Sequence, residues 1–323
     1  MRRFLIAALI LALAATGVFF WKSNHNTGPP PLRLAYQNRI GSALAIVAVE
    51  KQFFQEEGLS IEASRFNSGP ACSEALYSGS VEIGTMGDTA AVIAVSRNPG
   101  FVIIASHGAG EHRHRIVVAK DSPLQKPENL VGRRLAVKKG TSTYGGLLAF
   151  CDARGIDAGK INLIDMRPGE MTEALLAGSL DAFVASEPTP SLAQARGARE
   201  LATLGGLGNH YPLLIVARRD FLRNRPDKAA AFMRAMRRAE KFVRRHPGRA
   251  TALLSRVSGL PSDSTRRAMQ RHTYRLRLGA DIRRSLAKTA DFLHSAGTID
   301  ARPDWETSLD NRVVAASPDQ PQR

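Results

Sequence analysis

The sequence predicts an α/β protein of two doubly wound lobes, and three observations carry that expectation. The chain has 323 residues, which suits two compact lobes better than one. Short apolar runs of strand length alternate with helical periodicities, the pattern of a mainly parallel sheet. A helix–glycine–strand unit also occurs twice: EALYSGSVE at residues 74–82 returns as EALLAGSLD at residues 173–181, at an offset of 99. At that offset Gly41-Ser42 falls on Gly140-Thr141 and Asp88 on Glu187, so the agreement extends over a whole lobe.

From the N-terminus, Arg2 and Arg3 precede an uncharged apolar run at residues 4–21, closed by Lys22. Eighteen residues make a helix of about 27 Å, just short of a hydrocarbon core of about 30 Å. Ala12-Leu13-Ala14 offers a small-x-small cleavage site, while Trp21-Lys22 suits an uncleaved anchor. Residues 1–22 are therefore expected to be a signal peptide or signal anchor. The body is then exported to the periplasm, held at the inner membrane if the anchor stays. Residues 23–31 (SNHNTGPPP) read as a stiff polar linker.

The first lobe should open with strands at 32–36, 61–66 and 81–86. The second repeats them at 135–137, 161–164 and 182–185, and in each lobe a helix ends at a glycine, Gly58 and Gly155. In residues 228–245, Phe232, Met236, Ala239 and Val243 recur at helical spacing, with arginines mostly between them. The whole chain carries a net charge of +16, and residues 218–288 hold 21 Lys+Arg against 5 Asp+Glu. With aromatics at 6% there is no stacking platform for a nucleic acid, so the basic block is expected to be a solvated helix surface. Residues 317–323 should be a disordered tail.

Several chemistries are excluded. Two cysteines, Cys72 and Cys151, make neither a disulfide scaffold nor a zinc ribbon, and free thiols are expected. There is no G-x-S-x-G elbow, H-E-x-x-H or Gly-Lys-Ser/Thr loop. The expectation is a monomeric binder: no enzyme, no cofactor and no nucleic acid. In open α/β sheets ligands sit beyond the carboxyl ends of the strands, where helix N-termini point. That places Gln37, Asn38, Ser68, Gly69, Asp88 and Thr89 of one lobe opposite Thr141, Ser142, Thr143, Tyr144 and Glu187 of the other. Hydroxyls and free N–H groups there would take an anionic oxygen. Asp88 and Glu187, in matched turns, would favour an amine or a zwitterion. His107, His112 and His114 offer an alternative, a metal site, although Arg113 and Arg115 would repel a cation.

Four stretches, SGPACSEALYSGSVEIGTMGDTAAVIA (68–94), LVGRRLAVKKGTSTYG (130–145), EALLAGSLDAFVASEP (173–188) and DFLRNRPDKAAAFMRAMRRAEKFVRRHPGRA (220–250), resemble the substrate-binding proteins of ABC importers in the nitrate/sulfonate/taurine and thiamine-pyrimidine-precursor group. The resemblance implies a type II periplasmic-binding-protein fold. Lobe one would be residues 32–115 plus 216–316 and lobe two 116–215, with crossovers near 114–118 and 211–216. It also implies hinge closure on a small polar solute (a sulfonate, a taurine-like zwitterion, an amine or a pyrimidine) and delivery to a permease driven by ATPase subunits. By position the resemblance implies ligand contacts at all of the residues named above except Asn38 and Tyr144, which remain candidates from the cleft turns. Ser186 replaces an aromatic common in relatives, which removes a stacking partner for a ringed ligand. A membrane-tethered sensor with the same fold is the further alternative.

Overall fold

A computed structural model describes residues 30–315, so the expected signal or anchor, nearly all of the linker and the tail lie outside it. The elements, in chain order, are β1 (Leu32–Gln37), α1 (Ala43–Glu50), α2 (Phe53–Glu56), β2 (Ile61–Phe66), α3 (Gly69–Tyr77), β3 (Ile83–Gly87), α4 (Asp88–Arg97) and β4 (Phe101–Gly108). Then come β5 (His114–Val118), β6 (Arg134–Val137), α5 (Ser142–Ala153), β7 (Asn162–Asp165), α6 (Pro168–Leu176), β8 (Ala182–Ser186), α7 (Thr189–Ala195) and β9 (Arg199–Thr203). The chain returns through β10 (Leu213–Arg218) and ends in α8 (Arg219–Asn224), α9 (Pro226–Arg245), α10 (Pro247–Ser258), α11 (Ser262–Gln270), α12 (Ala280–Ser295), α13 (Trp305–Ser308) and α14 (Arg312–Ala315).

The strands form two five-stranded sheets, ordered β2-β1-β3-β10-β4 and β7-β6-β8-β5-β9. The duplication is visible in this shared order: three parallel strands, then one antiparallel insert, β10 or β5, then the edge. Strands β3, β8 and β5 are buried along their whole length, which is why they read as apolar runs without alternation.

The crossovers lie earlier than sequence spacing suggests. The chain passes between sheets at residues 109–113 and returns at 204–212, whereas residues 114–118 and most of 211–216 are the strands beyond each crossing. Both are apolar β-branched strands, and nothing local marks which sheet they join. The two crossovers run side by side, with the Gly110 N–H donating to the His210 carbonyl at 2.9 Å. Tyr211 adopts a left-handed φ of 44° there, and its hydroxyl donates to the Leu204 carbonyl at 2.9 Å.

The basic block behaves as an outer surface. Phe232, Met236 and Ala239 of α9 are fully buried, and each such large side chain contributes about 1.5–3 kcal/mol. On the other face Arg234 and Arg238 pair with Glu57, and Arg256 of α10 pairs with Glu50. Among the described residues no helix is long and apolar enough to cross a membrane.

Gly110 is where side-chain volume would be felt most. A Cβ there would stand 2.2 Å from the Arg271 carbonyl oxygen, a backbone atom that cannot rotate away. Gly110→Ala should therefore cost about 1–3 kcal/mol, as overpacking does. A melting temperature lowered by several degrees in differential scanning calorimetry checks this, and an unchanged one contradicts it.

Candidate functional site

The cleft between the sheets is built from strand ends and helix starts. Ser68 caps α3, its Oγ accepting from Ala71 N–H at 3.4 Å, and Thr141 caps α5 through Tyr144 N–H at the same distance. Gly140 makes the turn before Thr141 with φ of 70°, a conformation costly for any residue bearing a Cβ. Between these helix starts lies a cavity bordered by Gln37, Arg39, Gly69, Gly87, Arg113, His114, Thr141, Ser142 and Thr143. Its free volume is about 10 Å³, close to that of one water, so the lobes stand closed. Arg39 of lobe one donates through Nη1 to Ser186 Oγ of lobe two at 3.0 Å, a bond that spans the cleft.

Most of the residues expected from sequence do gather here. Gln37, Gly69, Thr141, Ser142 and Thr143 border the cavity, and Ser68 borders an adjoining space with Arg39. Thr89 is buried a little further along the cleft. Asn38 is exposed and lines none of these spaces, and Tyr144 packs against the second lobe's own core.

The two carboxylates both have partners within the protein. Asp88 is buried with both oxygens engaged: Oδ1 accepts from Thr89 N–H at 2.9 Å and Oδ2 from Thr289 Oγ1 at 3.0 Å. Glu187 pairs with Arg115 at 2.8 Å, and its Oε2 accepts from Ser191 N–H at 3.3 Å. Burial pushes the Glu187 carboxyl up, against the pull of Arg115. Neither acid is left waiting for a cationic ligand.

Among the described residues two cleft guanidiniums make no direct ion pair with a carboxylate, although the Asp88 charge acts on Arg113 from a distance, and sequence reasoning missed them. Arg113 is 1% exposed and donates to the Tyr211 carbonyl, through Nε at 3.3 Å and Nη2 at 3.1 Å. Burial lowers its pKa to about 10, so it remains a cation at neutral pH. Arg39 is half-buried and donates to Ser186 Oγ and the Asn67 carbonyl, and among the described residues it makes no ion pair with a carboxylate. Arg39 lay within a turn expected to face the cleft, two residues after Gln37. Arg113 carried no local signal, because its burial comes from distant segments packing around the crossover.

The histidines do not make a metal centre. His112 Nδ1 lies 2.8 Å from Thr203 Oγ1 and His114 Nδ1 2.8 Å from Thr143 Oγ1, while both ring nitrogens of His107 are buried without partners. Among the described residues no group of three His, Cys, Asp or Glu is placed to hold a metal ion. Burial, reinforced by Arg113, pushes His107 down to about 3 and His114 well below the usual imidazole range. Both are neutral polar lining. The two free cysteines are buried as well, and burial raises the Cys72 thiol to about 12 and Cys151 to about 11, which leaves no thiolate nucleophile.

Two sheets of one strand order, joined by paired crossovers and closing on a polar cleft, define the class of two-lobed ligand-binding folds. Within that class the chain belongs to the NMT1/THI5-like family, whose model matches residues 40–250. It is 24% identical to the taurine-binding periplasmic protein of Escherichia coli K12 over 296 residues, 87% of this chain and 92% of that one. Among solved structures it is similar to the alkanesulfonate-binding protein SsuA of Xanthomonas axonopodis pv. citri bound to MOPS, with a TM-score of 0.80 and 23% identity over 88% of this chain and 99% of that one. The fold is also shared by the desulfurization enzyme DSZB, with a TM-score of 0.69 and 17% identity over 88% of this chain and 98% of that one.

The buried histidines set a pH dependence. An imidazole whose folded pKa lies below its unfolded value of about 6.5 contributes stability that is present above 6.5 and lost as pH falls. His107 should cost about 1.4 kcal/mol per pH unit from 6.5 towards 3, and His114, also held below the usual imidazole range, acts in the same direction. Chemical denaturation at pH 7.5 and 5.5 checks this: His107→Gln should shrink the difference, and equal stability at both values would contradict it.

Proposed function

We propose that this chain is the extracytoplasmic solute-binding component of an ABC importer, that it carries out no reaction, and that its ligand is a small organic anion of the sulfonate kind. The observation that carries the reading is the pair of cleft guanidiniums, Arg39 and Arg113, which have no carboxylate partner while Asp88 and Glu187 are both engaged. A buried charge that lacks a counter-ion is costly, and an incoming anion supplies one. The starts of α3 and α5 add N–H groups, and Thr141, Ser142 and Thr143 add hydroxyls. A sulfonate offers three acceptor oxygens, one charge and no proton, which suits a site composed mainly of donors. The names of the E. coli taurine-binding relative and of SsuA point the same way and support a periplasmic location and a permease partner.

With about 10 Å³ free, the ligand enters only when the lobes part, and the crossovers at 109–113 and 204–212 are the segments that can bend. Arg39 then exchanges Ser186 for a ligand oxygen, so closure and capture share one side chain.

Isothermal titration with taurine and butanesulfonate tests this. Arg113→Met should weaken butanesulfonate by at least about 1.5–3 kcal/mol, the range for a hydrogen bond to a charged group. The ligand-free melting temperature should hold or rise, because the variant removes a buried charge with no direct ion pair. Unchanged affinity in both Arg113→Met and Arg39→Met, or a preference for simple amines over sulfonates, would overturn the reading.

A further inference from the structure

Beside the closed anion cavity lies a second space, about 90 Å³, several times what one water needs. Ser142 borders both, so the two spaces adjoin along the cleft with this side chain between them. The space on the other side of the cavity, which shares Arg39, Thr141 and Thr143, has only about 10 Å³ free. Of the three, only the side chamber has room for a carbon chain.

Its walls suit an organic tail. Gly145 and Ala149 of α5 form one side and Leu207 and Phe292 the other. Its polar groups are already bonded: Asp88 to Thr289 and Thr89, and Lys288 Nζ to the Leu207 carbonyl at 3.3 Å. A hydrocarbon tail therefore enters without stripping any of them of a partner. Gly145 provides the opening between lobes, because a Cβ there would meet Thr89 Oγ1 at 3.2 Å and the Phe292 ring at 3.8 Å. Lys288, Thr289 and Phe292 all belong to α12, which lies beyond residues 40–250 that define the family match.

We propose that this chamber holds the tail of the bound anion and that α12, through Phe292, sets the tail length the protein accepts. The inference rests on the anion reading above and adds a substrate class: sulfonates with a short aliphatic tail, preferred over both methanesulfonate and long chains.

The test is a ladder of straight-chain sulfonates, methane- to hexanesulfonate, titrated calorimetrically into the full-length chain and two variants with opposite effects on the chamber. For the parent, affinity should climb through about the third or fourth carbon and then fall, each well-placed methylene adding up to tenfold or more. Ala149→Leu fills the chamber and should lower the butanesulfonate-to-methanesulfonate affinity ratio at least tenfold. Phe292→Ala enlarges it and should move the optimum to a longer chain. If both variants leave that ratio and the optimum as in the parent, while Arg113→Met still weakens binding, the tail chamber is overturned and the anion site stands. If no sulfonate binds the parent, both fall together.

Discussion

The cost of taking a charge out of water organises this molecule. Four ionised side chains lie deep in the cleft region, and they are treated in two ways. Asp88 and Glu187 are met from within, by the Thr289 hydroxyl, backbone N–H groups and the Arg115 guanidinium. Arg113 is met only by a carbonyl dipole, and Arg39 by a hydroxyl and a carbonyl. The satisfied acids hold the helix starts and the second lobe's turn in place. The two bases, Arg39 and Arg113, are hydrogen-bonded to neutral oxygens. His107 and His114 stay neutral in this setting, because burial beside Arg113 makes a further positive charge prohibitive.

The fold was largely legible in the sequence, and for identifiable reasons. Leu32–Gln37 is buried almost throughout and was recognisable within a residue, as was the half-exposed edge strand Ile61–Phe66, whose apolar ends bracket polar residues. The stripe of Phe232, Met236, Ala239 and Val243 marked α9, and the structure buries all four. The crossovers were misplaced because strands β5 and β10 look like any other buried strand, and their sheet is decided by pairing partners remote in sequence.

The site was legible where chemistry is local. Ser68 and Thr141 announce helix starts by residue type, and the structure confirms both caps. It was illegible where chemistry is remote. Asp88 reads as an open carboxylate until Thr289, 201 residues away, is seen to donate to it. Glu187 does so until Arg115 arrives from the neighbouring strand. Arg113 entered only as a charge that would repel a metal from the histidines, whereas packing makes it one of the largest fully buried side chains. Without those three contacts in view, the two acids look open and the buried guanidinium does not stand out.

The strand order has a consequence for how the polypeptide is made. The second sheet is contiguous: β5 to β9 emerge one after another, and every pairing they need is present by Thr203. The first sheet is split, because edge strand β4 pairs only with β10, which follows the whole of the other lobe. During vectorial synthesis the inner lobe is thus the first able to complete itself, while β1 to β4 must wait with one edge open. Arrival of β10 closes that sheet and, through the paired crossovers, installs the hinge in the same step. The binding cleft is accordingly the last part of the chain to come into being, and no half-made molecule can present a working one.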